Sequence, residues 1–283
     1  MKEAATHAGD VAEVASEIYP LAERHFQTIG KMLYHIAGIS LHPGKEGLVR
    51  SRLAHRLRAL KLDDFDSYLD FLERDKSGAE LSNMVDVLTT NKTSFFRENE
   101  HFAFLQKDVL PALVSKGAPL RFWSAGCSTG EEPYTLGILL HELLERGDRG
   151  RAKILATDIS SRVLAQAKAG RYAEAVAAEV PPELLRRHFT RGPGGTWEAG
   201  PSLRGLVTFA RLNLMDAWPM RGPFQAIFCR NVMIYFDKPT QETLVGRYYD
   251  LLAPGGHLFV GHSESLSGIA HRFTYVQPAV YRK

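Results

Sequence analysis

Between residues 21 and 88 apolar positions recur at helical spacing. After residue 91 that pattern gives way to short β-branched or apolar runs that alternate with helical stretches. In the first region Phe26, Ile29, Leu33 and Ile36 share one face of a helix predicted over 25–37, and Gly38 ends it. A second helix is predicted over 48–60. A third, over 62–74, is entered through Asp63 and Asp64, whose carboxylates suit a helix start, and a fourth covers 80–89. Helices without an intervening strand imply a small all-helical domain over 21–88. Residues 1–20, rich in Ala and Glu with no strong apolar stripe, read as a flexible lead or a loose helix.

Strands are predicted over 120–124, 153–157, 206–212, 224–229 and 257–261. Helical segments over 131–145 and 161–169 follow the first two. Strand–helix alternation implies an α/β domain over 89–283, with a parallel sheet covered by helices on both faces. One stretch breaks the alternation. RGPGGTWEAGPSLRG, at 191–205, is dense in Gly and Pro and lies between a helix over 182–188 and a strand. It suits a plain loop or a short antiparallel hairpin, and a small β insertion over 189–208 is the favoured reading.

With 283 residues and 45% hydrophobic composition the chain can bury one large core or two smaller ones. A net charge of +3 does not mark a nucleic-acid binder, so any basic charge that matters must be clustered. The two cysteines, Cys127 and Cys229, match no zinc spacing. A reducing cytoplasm without a structural disulfide is the expected setting. The first twenty residues do not form a signal peptide, and no run of 18 apolar residues occurs, so no membrane insertion is expected.

The strongest local signal is RFWSAGCSTGEEPYTLGILL. Here an apolar strand runs into a turn from Gly126 to Gly130, and a helix starts near Glu131. Glycine lets the backbone turn sharply and lets a ligand approach it. The spacing is neither the dinucleotide fingerprint nor a P-loop, and many such turns serve only helix–strand packing. The next strand, KILATD, ends in Asp158. Its carboxylate suits the two hydroxyls of a ribose or, alternatively, the cap of the following helix. Together these features fit an adenosine ligand, either a nicotinamide dinucleotide or S-adenosylmethionine. Asn213–Asp216 after the strand VTFARL offers groups to frame an adenine. FQAIFCRNVMIYF ends a buried strand in Arg230 and Asn231. LLAPGGHLFVG reads as a helix end, a turn and an edge hairpin strand, with a last antiparallel strand near 276–281. This order of elements favours S-adenosylmethionine.

NKTSFFRE, WSAGCSTGEEPYTL, LNLMDAWP, FCRNVMIYF and GGHLFVGHSES, in this order, resemble the CheR-type chemotaxis receptor methyltransferases. The likeness runs from about Phe26 onward and includes RLAHRLRALKL. The resemblance implies a Rossmann-like class I methyltransferase sheet with a small β-subdomain and an N-terminal all-α domain. It also implies protein-glutamate O-methyltransferase activity in chemotaxis signalling. By motif position, it implies cofactor contacts from Asn91, Thr93, Arg97, Glu131, Asp158, Asn213, Leu214, Arg230 and Asn231. It places Arg97 and Tyr235 beside the reacting methyl and the incoming carboxylate. Cys127 reads as packing.

A glutamate acceptor, with a reference pKa near ~4.3, is already ionised at neutral pH, so transfer from a sulfonium needs no strong base and no metal. Positioning and removal of water would supply the rate, with the planar fork of Arg97 and the Tyr235 hydroxyl holding the carboxylate. The bland alternatives are a surface ion pair of Arg97 with Glu98 or Glu100, and a half-buried core aromatic for Tyr235. His262-Ser263-Glu264 are adjacent and form no hydrolytic triad, and they read as a strand-end motif. LVRSRLAHRLRALK carries Arg50, Arg52, Arg56 and Arg58 with no acidic residue. This basic face is expected to dock the glutamate-bearing helices of a receptor's cytoplasmic methylation region. Nucleic acid is the rival partner, and no aromatic interleaving supports it. In some relatives of the resembled family the β-subdomain pairs with a receptor's C-terminal peptide, and the insertion here is a candidate for that pairing. A monomer is expected. The alternatives held beside this reading are methylation of another carboxylate and a non-catalytic cofactor-binding module.

Overall fold

The computed structural model describes residues 19–283 apart from 116, 118 and 145–148. The expected lead over 1–20 lies outside the described residues except for Tyr19 and Pro20. The chain divides into two compact units at the Thr90–Asn91 junction.

Among the described residues the first unit holds four helices: α1 (Glu23–Ala37), α2 (Glu46–Leu60), α3 (Phe65–Arg74) and α4 (Ala79–Leu88). Gly38 adopts a left-handed conformation and donates its N–H to Tyr34 O, which ends α1. Asp64 Oδ1 accepts from Ser67 N at 2.8 Å and caps α3. Phe26, Ile29, Leu33, Val49, Leu53, Leu57, Phe65, Tyr68, Met84 and Val85 are among the unit's buried apolar residues. The basic face of α2 divides in two. Arg52 Nη1 donates to Leu88 O at 2.7 Å and Thr89 O at 3.0 Å, which satisfies carbonyls left open at the end of α4. Arg56 pairs with the buried Glu80 through two nitrogens, and the Tyr68 hydroxyl also donates to Glu80. These two arginines hold the unit together, whereas Arg58 is exposed and Arg50 half-buried.

Among the described residues the second unit is built on ten strands. They are β1 (Leu120–Ala125), β2 (Ala152–Asp158), β3 (Arg171–Ala173), β4 (Phe189–Arg191), β5 (Thr196–Ala199), β6 (Val207–Arg211), β7 (Phe224–Cys229), β8 (Leu252–Val260), β9 (Thr274–Gln277) and β10 (Val280–Arg282). Its helices are α5 (Asn99–Phe104), α6 (Leu110–Ser115), α7 (Glu131–Leu143), α8 (Ser161–Ala169), α9 (Glu174–Ala177), α10 (Pro182–His188), α11 (Pro201–Arg204) and α12 (Lys238–Leu251), with a widened π turn over Leu105–Val109 joining α5 to α6. The main sheet runs β6-β2-β1-β7-β8-β10-β9, parallel from β6 to β8 and antiparallel at β10 and β9. Strands β1 and β7 bury five of six residues each, which explains why their sequences read as apolar runs rather than alternations.

Three expectations need correction. The segment LLAPGGHLFVG forms β8, which is interior: it pairs with β7 on one side and β10 on the other. The last strand is a hairpin of two, β9 and β10, with Ala279 left-handed at the turn. The small antiparallel sheet is also larger than a hairpin. Its order is β3-β5-β4, so β3 joins it from ahead of the expected insertion. Tyr172, Phe189, Trp197 and Ala199 are its buried positions.

Candidate active site

Because β6, β2, β1 and β7 are parallel, their C-terminal ends open on one edge, where α/β sheets bind ligands. The turn after β1 is pinned to β2, since Gly126 N and Cys127 N both donate to Thr157 O, at 2.8 and 2.9 Å. Gly126 has φ +92°, and a Cβ there would lie 2.4 Å from Val232 Cγ2. No other residue type fits without moving the loop after β7. Burial pushes the Cys127 thiol well above its ordinary value, in keeping with a packing role.

Asp158, at the tip of β2, closes the turn from the other side. Its Oδ2 accepts from Ser128 N at 2.9 Å and its Oδ1 from Ser160 N at 3.0 Å. The cap of α8 is the Ser160 hydroxyl, not Asp158. Ser128 Oγ donates to Asn91 O at 2.7 Å, which ties the NKTSFFRE segment to the glycine turn. Glu131 starts α7 with its carboxylate buried and accepting from the Thr129 hydroxyl at 2.7 Å. Burial raises its carboxyl above the usual range, against that hydrogen bond. Leu212 N donates to Asp158 O, so Asn213 and Leu214 follow β6 beside the tip of β2. Asn213 Oδ1 accepts from Met215 N, and the Leu214 carbonyl accepts from Trp218 Nε1 and Arg247 Nη1.

The second half of the constellation is a buried ion cluster. Arg230, with a side chain 2% exposed, donates Nε and Nη2 to Glu98 Oε2 at 3.2 and 3.1 Å and Nη1 to Glu132 Oε2 at 3.2 Å. It also donates Nη2 to the carbonyl of Arg97. Burial would raise the Glu98 carboxyl, but Arg230 and the His262 amide outweigh it and leave it below the usual range. The Glu132 carboxyl stays raised by burial despite Arg230. Asn231 Nδ2 reaches Glu98 Oε1 at 3.5 Å. Glu264, itself buried, accepts from the N–H groups of Gly261, Asn231 and Ile234 and so staples the loop after β7. Tyr235 lies on that loop, half-buried. Arg97 is half-buried too; its Nη1 donates to Lys92 O at 2.8 Å, in place of the surface ion pair.

Residues 91–281 match the family "CheR methyltransferase, SAM binding domain", and residues 24–89 match "CheR methyltransferase, all-alpha domain". The chain belongs to the CheR methyltransferase family. A chemotaxis protein methyltransferase of Klebsiella aerogenes is 42% identical over 98% of this chain and 96% of its own. That of Escherichia coli K12 is 41% identical over 94% and 93%, and chemotaxis protein methyltransferase 2 of Pseudomonas aeruginosa 44% over 90% and 91%. The CheR-type chain is thus an S-adenosylmethionine-dependent methyltransferase, as its motifs imply, and the Rossmann-like sheet with its small β-subdomain is the expected class.

The residues present fit that cofactor. The Oδ1 atom of Asn231 is buried without a hydrogen-bond partner, so it is ready to accept from a ligand donor. The Ser128 and Ser160 amides fix the Asp158 carboxylate, an acceptor-only group, at the tip of β2, on the edge where the parallel sheet binds ligands. The Arg230 guanidinium faces the two carboxylates, so a ligand would meet its backbone. Sequence reasoning missed Glu98 and Glu132 and gave Glu264 only a minor role. Glu98 and Glu132 meet Arg230 across 132 and 98 positions, and Glu264 meets Asn231 across 33, so the one signal each gave was an acidic residue inside or beside a quoted motif.

Proposed function

We propose that this CheR-family chain transfers the methyl group of S-adenosylmethionine to glutamate side-chain carboxylates in the cytoplasmic methylation region of chemotaxis receptors. The products are the glutamate 5-O-methyl ester and S-adenosylhomocysteine, and the reaction serves adaptation in chemotaxis. The observation that carries the reading is Arg97. It is held between the left-handed residues Phe96 and Glu98, with its carbonyl fixed by Arg230. When bound, the cofactor supplies a methyl group activated by the positive charge on its sulfur. Asp158 and Glu131 accept hydrogen bonds from it, Asn213 and Leu214 frame its adenine, Asn91 and Thr93 line its site, and Asn231 accepts through Oδ1. Arg230 contributes its backbone.

The acceptor arrives ionised, so no residue has to remove its proton. Arg97 spends one nitrogen on Lys92 O, and its remaining N–H groups replace the water stripped from the carboxylate. Among the described residues the Tyr235 hydroxyl donates to none, which leaves it for the acceptor. The exposed Arg58 and the half-buried Arg50, about two turns apart on α2, steer acidic receptor helices by charge, while Arg52 and Arg56 keep that helix in place. The small sheet has two edge strands, β3 and β4, on which an extended C-terminal receptor peptide would pair. Among the described residues no helix is long and apolar enough to cross a membrane.

Tritiated methyl transfer to receptor-containing membranes tests the proposal. The label should be released by mild base as methanol, and Arg97→Ala should lower turnover on receptor. Absence of base-labile label on any receptor overturns the reading.

A further inference from the structure

We infer that His141, Glu142 and His188 form a binding site for a divalent transition-metal ion of the zinc class, separate from the methyl-transfer chemistry. One ligand atom from each residue falls within 4.8 Å of the other two. His188 Nε2 lies 2.7 Å from Glu142 Oε1, and the two imidazole rings are 4.9 Å apart between centroids, edge to face. Two imidazoles and a carboxylate are a set that binds zinc at roughly 2.0–2.2 Å, with a fourth position left for water. Tetrahedral bonds of that length separate ligand atoms by roughly 3.4 Å, so small side-chain rotations would seat the ion.

The surroundings favour a cation. His141 and Glu142 occupy the last turn of α7, where the helix dipole places negative potential. The neighbouring cation, Arg187, shares Glu142, but its side chain is 56% exposed and free to turn into solvent. A second cluster, Glu98, His101 and His262, has similar spacing. There the carboxylate is already committed to Arg230, a buried guanidinium that cannot leave and that repels a metal ion. The first cluster is therefore the site. Its ion would tie the end of α7 to His188, the residue directly before β4, and so fix the entry to the small sheet onto the helix that carries Glu131.

The experiment uses tag-free full-length chain, stripped with chelator and titrated with Co²⁺ and then Zn²⁺. One equivalent of Co²⁺ should give visible d–d absorption that Zn²⁺ displaces. His141→Ala and Glu142→Gln should each weaken binding at least tenfold, and His262→Ala should leave it unchanged. Zinc at one hundred times its Kd should raise the folded-to-unfolded ratio about 100-fold, measured by denaturant titration, and should not do so in His141→Ala. His188 is buried, so the variants at the half-buried His141 and the exposed Glu142 carry the test if His188→Ala misfolds. Absence of saturable binding, or binding lost in His262→Ala and kept in His141→Ala, overturns the proposal.

Discussion

Replacing Arg230 by Met removes a cation that bonds two carboxylates and a backbone carbonyl. Each ion pair, at 3.1–3.2 Å, is worth on the order of 5 kcal/mol of gross attraction at an effective dielectric near 20. Desolvation offsets much of that, but breaking a buried pair from one side strands the other charge and costs about 3–5 kcal/mol. Arg230→Met should therefore lower the unfolding free energy by about that amount, against a total of about 5–15 kcal/mol for a domain. Protonation limits the loss, because the Glu132 carboxyl is already raised by burial and takes up a proton more readily without Arg230. Adding Glu98→Gln and Glu132→Gln to Arg230→Met removes the stranded charges and should restore most of the stability. It should not restore cofactor affinity or turnover, because the Arg97 carbonyl stays untethered. Urea unfolding and calorimetric titration of S-adenosylmethionine measure the two quantities. A loss below about 1 kcal/mol in Arg230→Met, or wild-type affinity in the triple variant, refutes the argument that this cluster is a buried clamp on Arg97.

Gly126→Ala puts a Cβ 2.4 Å from Val232 Cγ2 at a φ of +92°, so cofactor affinity by calorimetry should fall at least tenfold, with partial recovery on adding Val232→Ala. Asp158→Asn leaves one oxygen for two amides, so stability should fall by about 1–3 kcal/mol and affinity should fall with it, as read by thermal unfolding with and without cofactor. The buried His101 and His257 are pushed down to about 4, each mainly by burial, so in the window between about 6.5 and 4 the unfolded chain binds protons that the native chain refuses. Their contribution is complete above about 6.5 and is lost as pH falls through that window, by up to about 3 kcal/mol for each histidine. A His101→Phe variant should flatten the fall between pH 7 and 4.5 in urea midpoints, and an unchanged slope refutes this account.

The helical unit was legible because a 3.6-residue period records burial directly: Phe26, Ile29 and Leu33 are apolar in sequence and buried in structure. The parallel strands were legible for a similar reason, since β1 and β7 are buried on both faces. Strand β3 was not. Three residues are too few to show an alternation, and Arg171–Ala173 is a strand because β5 pairs with it. The basic helix was legible as charge but not as geometry. Nothing local distinguishes Arg52 and Arg56, which meet the end of α4 and Glu80, from the exposed Arg58. The same limit hid the clamp: Glu98 and Arg230 are 132 positions apart and meet only through the topology of the sheet.

The distribution of backbone strain shows what the clamp is for. Six non-glycine residues among those described have positive φ, and four of them, Phe96, Glu98, Ser128 and Asn231, lie in the three segments that build the candidate site. Each left-handed residue costs on the order of 1–2 kcal/mol and persists only where its surroundings over-determine it. The surroundings do so here with charged groups: Asp158 holds Ser128 N, Glu264 holds Asn231 N, and Arg230 holds both Glu98 and the Arg97 carbonyl between the two strained neighbours. A transfer that needs no base and gains its rate from alignment requires loops that do not give when a charged acceptor is desolvated. The buried carboxylates are therefore the fixings of a pre-set frame, within which the proposal above gives the acceptor carboxylate to Arg97 and Tyr235.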